Sequence, residues 1–174
     1  MKNHCFIVIL ATILCAGLLV VAQAGENEVW KDPKSGLMWQ VTPTGRPMSW
    51  NSADLHCAEL SLGGYNDWRA PTISELRSLI RGIRKTQTGG PCGVKDSCLK
   101  FSCWDSLCWG SYGYPQSRIA LNWPTRLEGD VSWYWSSSAV ADKDVADVAW
   151  GVGFYRAGVS DLSVDFDFHV RCVR

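Results

Sequence analysis

The chain has 174 residues, with 17 cationic and 17 anionic side chains and therefore a formal net charge of zero. This length suits one domain plus a leader. The neutral charge excludes the global basic field on which nucleic-acid-binding proteins rely, so we expect no nucleic-acid partner. Ten tryptophans and eight cysteines indicate an aromatic-rich domain with disulfide bonds.

Residues 1–24 have the pattern of a secretory signal peptide. Lys2 supplies the positive charge, Cys5–Val21 is an apolar run, and Ala22-Gln23-Ala24 forms a small-x-small cleavage site. We therefore predict a leader over 1–24 and a single domain over 25–174, with a secreted, periplasmic or cell-surface location. The length of the apolar run leaves an uncleaved anchor as the alternative, so we expect membrane contact only through this segment.

The first periodic segments of the domain are a short strand and a helix. Leu37–Val41 is the candidate strand, and Thr42–Pro47 is a turn-rich loop. Ser49 has the side chain that an N-cap requires, so we predict that a helix begins after it. The apolar face of this helix has four members: Trp50, Ala53, Cys57 and Leu60.

A well-marked second helix follows a glycine turn. The pair Gly63-Gly64 permits positive φ and favours a tight turn. Thr72 and Glu75 have the spacing of a capping box, in which each residue hydrogen-bonds the backbone of the other. This spacing predicts a helix over Ile73–Ile83. Its apolar face consists of Leu76, Leu79, Ile80 and Ile83.

The second half of the chain changes from a long irregular loop to strands. Between Lys85 and Val131 regular periodicity disappears, and loops of this length tend to be functional. Alternating apolar residues then predict strands over Ser132–Ser137, Val145–Tyr155 and Leu162–Val173. Two helices followed by several antiparallel strands form an α+β pattern.

Six cysteines lie beyond the leader: Cys57, Cys92, Cys98, Cys103, Cys108 and Cys172. An even number in an exported chain indicates disulfides, although 15 pairings are open. Zinc is disfavoured because the spacings within Cys92–Cys108 are not those of a zinc site. We therefore expect no metal and no cofactor.

Four cations follow one another at helical spacing in and after the second helix: Arg77, Arg81, Arg84 and Lys85. On one helical face their guanidinium and ammonium groups would suit sulfate, phosphate or carboxylate, and so an anionic glycan or a lipid headgroup. The alternative is a solvated face whose late cations favour the helix dipole.

Aromatic side chains crowd the irregular loop, namely Trp104, Trp109, Tyr112 and Tyr114. Flat aromatic faces suit the CH groups of sugars, so these rings are candidate ligand-binding residues. The alternative is that the rings fold inward as the loop's own small core, since aromatics beside disulfides usually pack.

Two sets of residues are candidate cation ligands. Asp165, Asp167 and His169 alternate on one predicted strand face, and Asp142, Asp144 and Asp147 lie in a candidate loop. A polar outer strand face and a solvated turn explain them better, so no metal site is predicted.

A recurring set of motifs places the chain in a family. It comprises Ser35-Gly36-Leu37-Met38-Trp39-Gln40, Leu62-Gly63-Gly64-Tyr65-Asn66-Asp67-Trp68-Arg69-Ala70-Pro71-Thr72 with Glu75-Leu76, Tyr134-Trp135-Ser136-Ser137-Ser138, Ala149-Trp150 and Val170-Arg171-Cys172-Val173-Arg174. In this order they resemble the bacterial Lcl C-terminal domain, the C-terminal domain of collagen-like adhesins. Ala70 stands where the family usually has Leu, and Ser35 where it commonly has Thr.

The resemblance implies a C-type-lectin-like fold, with an antiparallel sheet, two helices and a long disulfide-stapled loop. It also implies that the N-terminal strand pairs with the C-terminal one, and that Cys57 bonds Cys172. Cys92, Cys98, Cys103 and Cys108 would then pair among themselves. The segment Arg69–Glu75 and the terminal Arg-Cys-Val also resemble the formylglycine-generating enzyme superfamily, which shares this fold.

These observations predict an exported, non-enzymatic binding module of a bacterial envelope. We expect a glycan, an anionic polysaccharide or a surface protein as its partner, and self-association is open. One alternative is an oxidase like the formylglycine-generating enzymes, for which the Cys103–Cys108 spacing leaves room. The other is a structural envelope protein. Ser136–Ser138 lacks the Gly-x-Ser-x-Gly elbow of a serine hydrolase.

Overall fold

The computed structural model describes residues 27–111 and 122–174, so the predicted leader lies outside the described residues. The helices are α1 (Trp50–Ala58) and α2 (Ile73–Ser78). The strands are β1 (Val29–Lys31), β2 (Met38–Gln40), β3 (Trp133–Ala139), β4 (Val148–Gly153) and β5 (Gly158–Ser163). Within the described ranges, no helix is both long enough and apolar enough to cross a membrane.

The strands form two antiparallel sheets. β1 pairs with β2, and the other three strands pair in the order β3-β4-β5. In the larger sheet Gly153 lies opposite both Trp133 and Gly158. The chain is therefore a mixed α/β fold with antiparallel sheets, as the α+β pattern predicts.

The C-terminal segment joins the two ends of the domain. The backbone N–H of Met38 donates to the Arg174 carbonyl, and that of Gln40 donates to the Cys172 carbonyl, both at a distance of 3.0 Å. Arg69 and Val173 exchange two further backbone hydrogen bonds of 2.9 Å. The predicted pairing of the N-terminal strand with the C-terminal segment is confirmed. A disulfide between Cys57 of α1 and Cys172 fastens the same segment, and it is the pair that the resemblance implies.

The larger sheet carries a hydrophobic core on each face. Adjacent residues enter opposite cores because strand side chains alternate, so Tyr134 and Trp150 join one cluster while Trp135 and Ala149 join the other. The first cluster includes the apolar residues of α2: Ile73, Leu76, Leu79 and Ile80. The second includes Ala53 and Cys57 of α1. The two helices therefore contribute to different cores.

The capping box of α2 is confirmed. The Thr72 hydroxyl accepts from the Glu75 N–H at 3.2 Å, and the Glu75 carboxylate accepts from the Thr72 N–H at 2.8 Å. Asp96, from the long loop, also accepts from the Ser74 N–H at 3.0 Å. At α1, Ser49 occupies the N-cap position, but its side chain makes no capping hydrogen bond.

The predicted end of the second helix is wrong. α2 stops at Ser78, and the helical pattern does not continue to Ile83. The N–H groups of Leu79 and Ile80 donate three residues back, to Leu76 and Arg77, which tightens the last turn. Gly82 then has φ of +79°, a conformation that does not propagate a right-handed helix.

The predicted strand over Leu162–Val173 is also wrong. β5 begins earlier, at Gly158, and ends at Ser163. The Phe166 N–H donates to Ser163 and turns the chain, and Phe166 is left 64% exposed. The segment then continues through single bridges, such as Phe168 to Met48, because it lies between different neighbours and not along one strand.

Candidate functional site

Two disulfides hold the loop after α2, here called the stapled loop (residues 84–111). Cys92 bonds Cys108, and Cys98 bonds Cys103. The loop makes two single turns of 3₁₀ helix, Phe101–Cys103 and Ser106–Cys108, and each turn ends at a disulfide-bonded cysteine. Short crosslinks of this kind replace the hydrophobic core that an irregular segment cannot build.

The stapled loop is bonded to the hairpin between β4 and β5. The indole N–H of Trp104 donates to the Val159 carbonyl, and the Ser111 N–H donates to the Arg156 carbonyl. The donor–acceptor distance is 2.8 Å in both hydrogen bonds. A Cβ at Gly110 would overlap the Arg156 backbone, so only glycine permits this approach. The loop and the hairpin are thus held in direct backbone contact.

A cleft of about 230 Å³ lies between them. Trp104 and Trp109 come from the stapled loop, with ring centroids 5.7 Å apart and planes tilted by 54°. Trp133 and Tyr155 come from the sheet and its hairpin, with centroids 5.8 Å apart in an edge-to-face arrangement. Four aromatic rings therefore line one small volume.

Two glycines allow close packing beside the cleft. Trp133, Gly153 and Gly158 lie opposite one another across the sheet, so their side-chain positions share one face. A Cβ at Gly153 would lie 3.1 Å from the Trp133 ring and 3.0 Å from the Tyr155 ring, and a Cβ at Gly158 would lie 3.3 Å from the Gly110 backbone. A side chain on Gly153 would therefore displace the aromatic rings, and one on Gly158 would displace the stapled loop.

The cleft also has a cationic side. The Arg156 guanidinium lies 5.6 Å from the centroid of the Tyr155 ring, in a cation–π contact. Ser160 adds a hydroxyl to the lining. The site therefore offers aromatic faces to an apolar ring and two polar groups to its substituents, which is the usual composition of a small-molecule site.

A comparison with protein families identifies the family of the domain. A family model described as the Lcl C-terminal domain matches residues 28–174. The chain belongs to the Lcl C-terminal domain family. No curated protein matches the sequence at a significant level.

The motif tryptophans of this Lcl C-terminal domain lie in its cores. Trp39, Trp68, Trp135 and Trp150 are each 3% exposed or less. The indole N–H of Trp135 donates to Met48 and that of Trp150 to Leu99, both backbone carbonyls. The family motifs therefore specify the fold, and the aromatic cleft lies outside them.

The candidate aromatic residues divide into two groups. Trp104 and Trp109 meet in the cleft, where Trp104 is partly buried and Trp109 is 51% exposed. The loop does not bury all of its rings as its own core. Tyr112 and Tyr114 lie outside the described residues.

Sequence reasoning missed the other half of the cleft. Alternation places Trp133 and Tyr155 in predicted strands, and no pattern singles out Arg156. The pairing of Gly153 with Trp133 and with Gly158 is the signal that would have brought the Trp133 ring beside the hairpin. That pairing depends on the strand register, which the sequence pattern does not fix.

The prediction of a basic helical face is wrong for Arg77. Its side chain is 2% exposed and donates to three backbone carbonyls, those of Thr86, Gln87 and Val94. Burial lowers the pKa of Arg77 to about 10. The guanidinium satisfies the backbone of the stapled loop and is not available to a ligand.

The other three cations follow the end of α2 and share no helical face with Arg77. Arg81 donates to the Ser78 and Ile80 carbonyls and lies 3.8 Å from the buried carboxylate of Asp32. Arg84 is exposed and Lys85 is partly buried. The four residues do not form one anion site because the helix ends before three of them.

The acidic candidates are also dispersed. The Asp142 carboxylate accepts a hydrogen bond of 2.7 Å from the Phe101 N–H and so supports the stapled loop. Asp165 and Asp167 are exposed, whereas His169 is buried against the Tyr134 ring. Within residues 27–111 and 122–174, no three side chains of His, Cys, Asp or Glu are grouped closely enough to hold a metal ion.

A second buried guanidinium supports the terminal motif. Arg171 is fully buried, lies 4.8 Å from the Trp123 ring, and donates to the carbonyls of Gln40, Val41 and Glu128. Burial lowers the pKa of Arg171 to about 10. Like Arg77, it donates hydrogen bonds to three backbone carbonyls, so its role is structural.

Proposed function

We propose that this Lcl C-terminal domain is an exported, non-enzymatic binding module that recognises glycans through the aromatic cleft. The observation that carries the proposal is the convergence of Trp104, Trp109, Trp133 and Tyr155 around one cleft, which Gly153 and Gly158 also line. Rings that serve only as core become buried, whereas Trp109 remains half exposed although its neighbours are packed.

Sugar chemistry matches the cleft. The CH face of a pyranose is apolar and packs against aromatic rings, while its hydroxyl groups need hydrogen-bond partners. Arg156 and Ser160 lie where they can supply such partners. A carboxylate or sulfate on the sugar would lie near the positive charge of Arg156, which favours acidic glycans.

The fold proposal is that this domain is C-type-lectin-like. Three features support it: adjacent N- and C-terminal segments, the disulfide between α1 and the C-terminal segment, and the stapled loop. Export is proposed from the sequence of residues 1–24, and the three disulfides suit an oxidising compartment. A surface protein as the partner and self-association stay predictions.

Oxidase chemistry like that of the formylglycine-generating enzymes has less support. That reaction needs a reactive thiolate. Each of the six cysteines in the described ranges is disulfide-bonded, and Cys103 bonds Cys98 rather than Cys108. We therefore keep glycan binding as the proposed function.

The proposal is tested with the full chain, exported with its own leader and purified with its disulfides intact. The protein is screened on a glycan array and on a heparin column at low salt. We expect retention of at least one glycan class, and its loss in Trp109→Ala. Arg84→Ala is the matched control, because Arg84 is exposed on the same loop and does not line the cleft.

Absence of any retention would overturn the proposal. So would retention that Trp109→Ala leaves unchanged and Arg84→Ala abolishes, since the ligand would then bind the cations of the loop and not the cleft.

A further inference from the structure

We propose that the cleft holds a single sugar ring and thereby reads the ends of glycan chains in preference to their interiors. This inference rests on the proposed function and narrows its ligand class. It depends on the size of the cleft, on the way its two walls are joined, and on the four aromatic rings that line it.

The cleft is small. Its volume of about 230 Å³ lies below the range of roughly 300–1,000 Å³ that is usual for small-molecule sites. A volume of this size matches one pyranose ring with its substituents. Any further sugar residue must therefore lie outside the aromatic walls.

The two walls are bonded to each other, so the cleft is not a through-groove on that side. The backbones of Gly110 and Ser111 contact the Arg156 backbone, with a hydrogen bond of 2.8 Å from Ser111. A second bond of 2.8 Å joins Trp104 to Val159. A polymer that enters between the walls meets backbone where they join and cannot continue past it.

The aromatic walls also limit the linkages of the bound residue. Trp104 and Trp109 form one wall, and Trp133 and Tyr155 form the other, with Gly153 and Gly158 as the floor. An internal sugar carries chain at two positions, whereas a terminal sugar carries it at one. Only a singly linked ring has its remaining positions free to lie against both walls and the floor.

The test uses unmodified protein and two kinds of probe. The first is a panel of albumin conjugates, each displaying one monosaccharide through its anomeric carbon. The second is the polysaccharide retained most strongly in the screen, applied before and after an exoglycosidase has removed its non-reducing terminal residues. We expect retention of at least one conjugate, and at least a tenfold weaker retention of the trimmed polysaccharide.

A variant of the cleft tests whether the bound sugar ring lies inside it. Gly153→Ala adds one methyl group between the Trp133 and Tyr155 rings, and we expect it to weaken binding of the conjugate at least tenfold. Ser97→Ala, an exposed position of the stapled loop away from the cleft, is the control. The measurements on unmodified protein keep the inference testable if Gly153→Ala does not fold.

The outcomes separate this inference from the proposed function. Retention of polysaccharide that is unchanged by trimming, with no retention of any conjugate, overturns chain-end reading and leaves glycan binding standing. Absence of retention on both probes overturns both. Retention of a conjugate that Gly153→Ala binds equally well also overturns the inference, because the ring would then lie outside the cleft.

Discussion

The α2 region and the aromatic cleft use their conspicuous side chains in opposite ways. Around α2, Thr72, Glu75 and Asp96 cap the helix, and Arg77 is buried against three carbonyls. In the cleft, Trp109 stays 51% exposed, and Gly153 lets the Trp133 and Tyr155 rings pack closely over the sheet. The polar groups of α2 are committed to the fold, whereas the cleft keeps one aromatic ring half exposed.

The difference shows where a binding site is to be sought in this family. The motifs that identify the Lcl C-terminal domain lie in the cores and caps, and their tryptophans are buried. The cleft forms where those motifs stop, between a disulfide-held loop and a hairpin. In this domain the motif tryptophans therefore serve the fold, and the proposed binding site lies outside them.

The largest expected effect comes from two disulfides of unequal loop length, one remote from the cleft and one beside it. Cys57→Ser with Cys172→Ser opens a crosslink of sequence separation 115 and should cost about 4–5 kcal/mol of the free energy of unfolding. Cys92→Ser with Cys108→Ser opens a separation of 16 and should cost about 3 kcal/mol. Urea denaturation monitored by tryptophan fluorescence measures both.

The variant with Cys92→Ser and Cys108→Ser should also lose glycan binding, because Cys108 lines the cleft and its disulfide holds the stapled loop in place. If the variant without the Cys92–Cys108 bond kept full binding, the stapled loop would not be the wall that matters.

Arg77→Ala tests whether the α2 cations serve the fold. Removing the guanidinium takes the donor from the buried carbonyls of Thr86 and Val94, whereas that of Gln87 keeps the Gly90 N–H. We therefore expect a loss of about 3 kcal/mol or more in the free energy of unfolding. Arg84→Ala is the matched control, and its effect should stay within about 0.5 kcal/mol. Equal effects from the two variants would contradict the assignment of Arg77 to the core.

Trp109→Ala tests the other side of the comparison. The side chain is half exposed, so its removal should change the free energy of unfolding by less than about 1 kcal/mol. Binding of the glycan selected by the array should weaken at least about tenfold, the loss expected for a central aromatic contact. Isothermal titration calorimetry and urea denaturation measure the two quantities. A large stability loss with unchanged affinity would place Trp109 in the core.

The smallest effect concerns pH. His169 is buried against Tyr134, with its Nε2 3.7 Å from the Asp130 carboxylate, and burial lowers its pKa. The unfolded chain binds a proton at this residue near its ordinary pKa of 6.5, whereas the folded chain resists it, so stability falls as the pH drops below that value. His169→Gln should flatten this fall between pH 7 and pH 5, as measured by urea denaturation. An unchanged slope would assign the pH dependence to other groups.

Local signals in the sequence predict the fold well, because they act over a few residues. The Thr72 and Glu75 capping box is one such signal, and the helix begins where it predicts. The end of α2 and the bounds of β5 were wrong because tertiary contacts decide them. Arg77 is buried by carbonyls from a loop that the helical pattern does not describe.

The cleft was only half predictable for the same reason. Trp104 and Trp109 stand out in a loop without periodicity, so they could be proposed from the sequence. Tyr155 and Arg156 join them only because the β4–β5 hairpin lies against that loop, through contacts between residues as distant in sequence as Trp104 and Val159. No spacing along the chain encodes that approach.

The most direct measurement follows the indole N–H signals of the ten tryptophans by heteronuclear NMR while the array-selected glycan is added. Single Trp→Phe variants assign the signals. We predict chemical-shift changes concentrated on Trp104, Trp109 and Trp133, with Trp39 and Trp150 unmoved in the core. Changes at tryptophans remote from the cleft, with those three signals fixed, would contradict the proposal that the aromatic cleft binds the glycan.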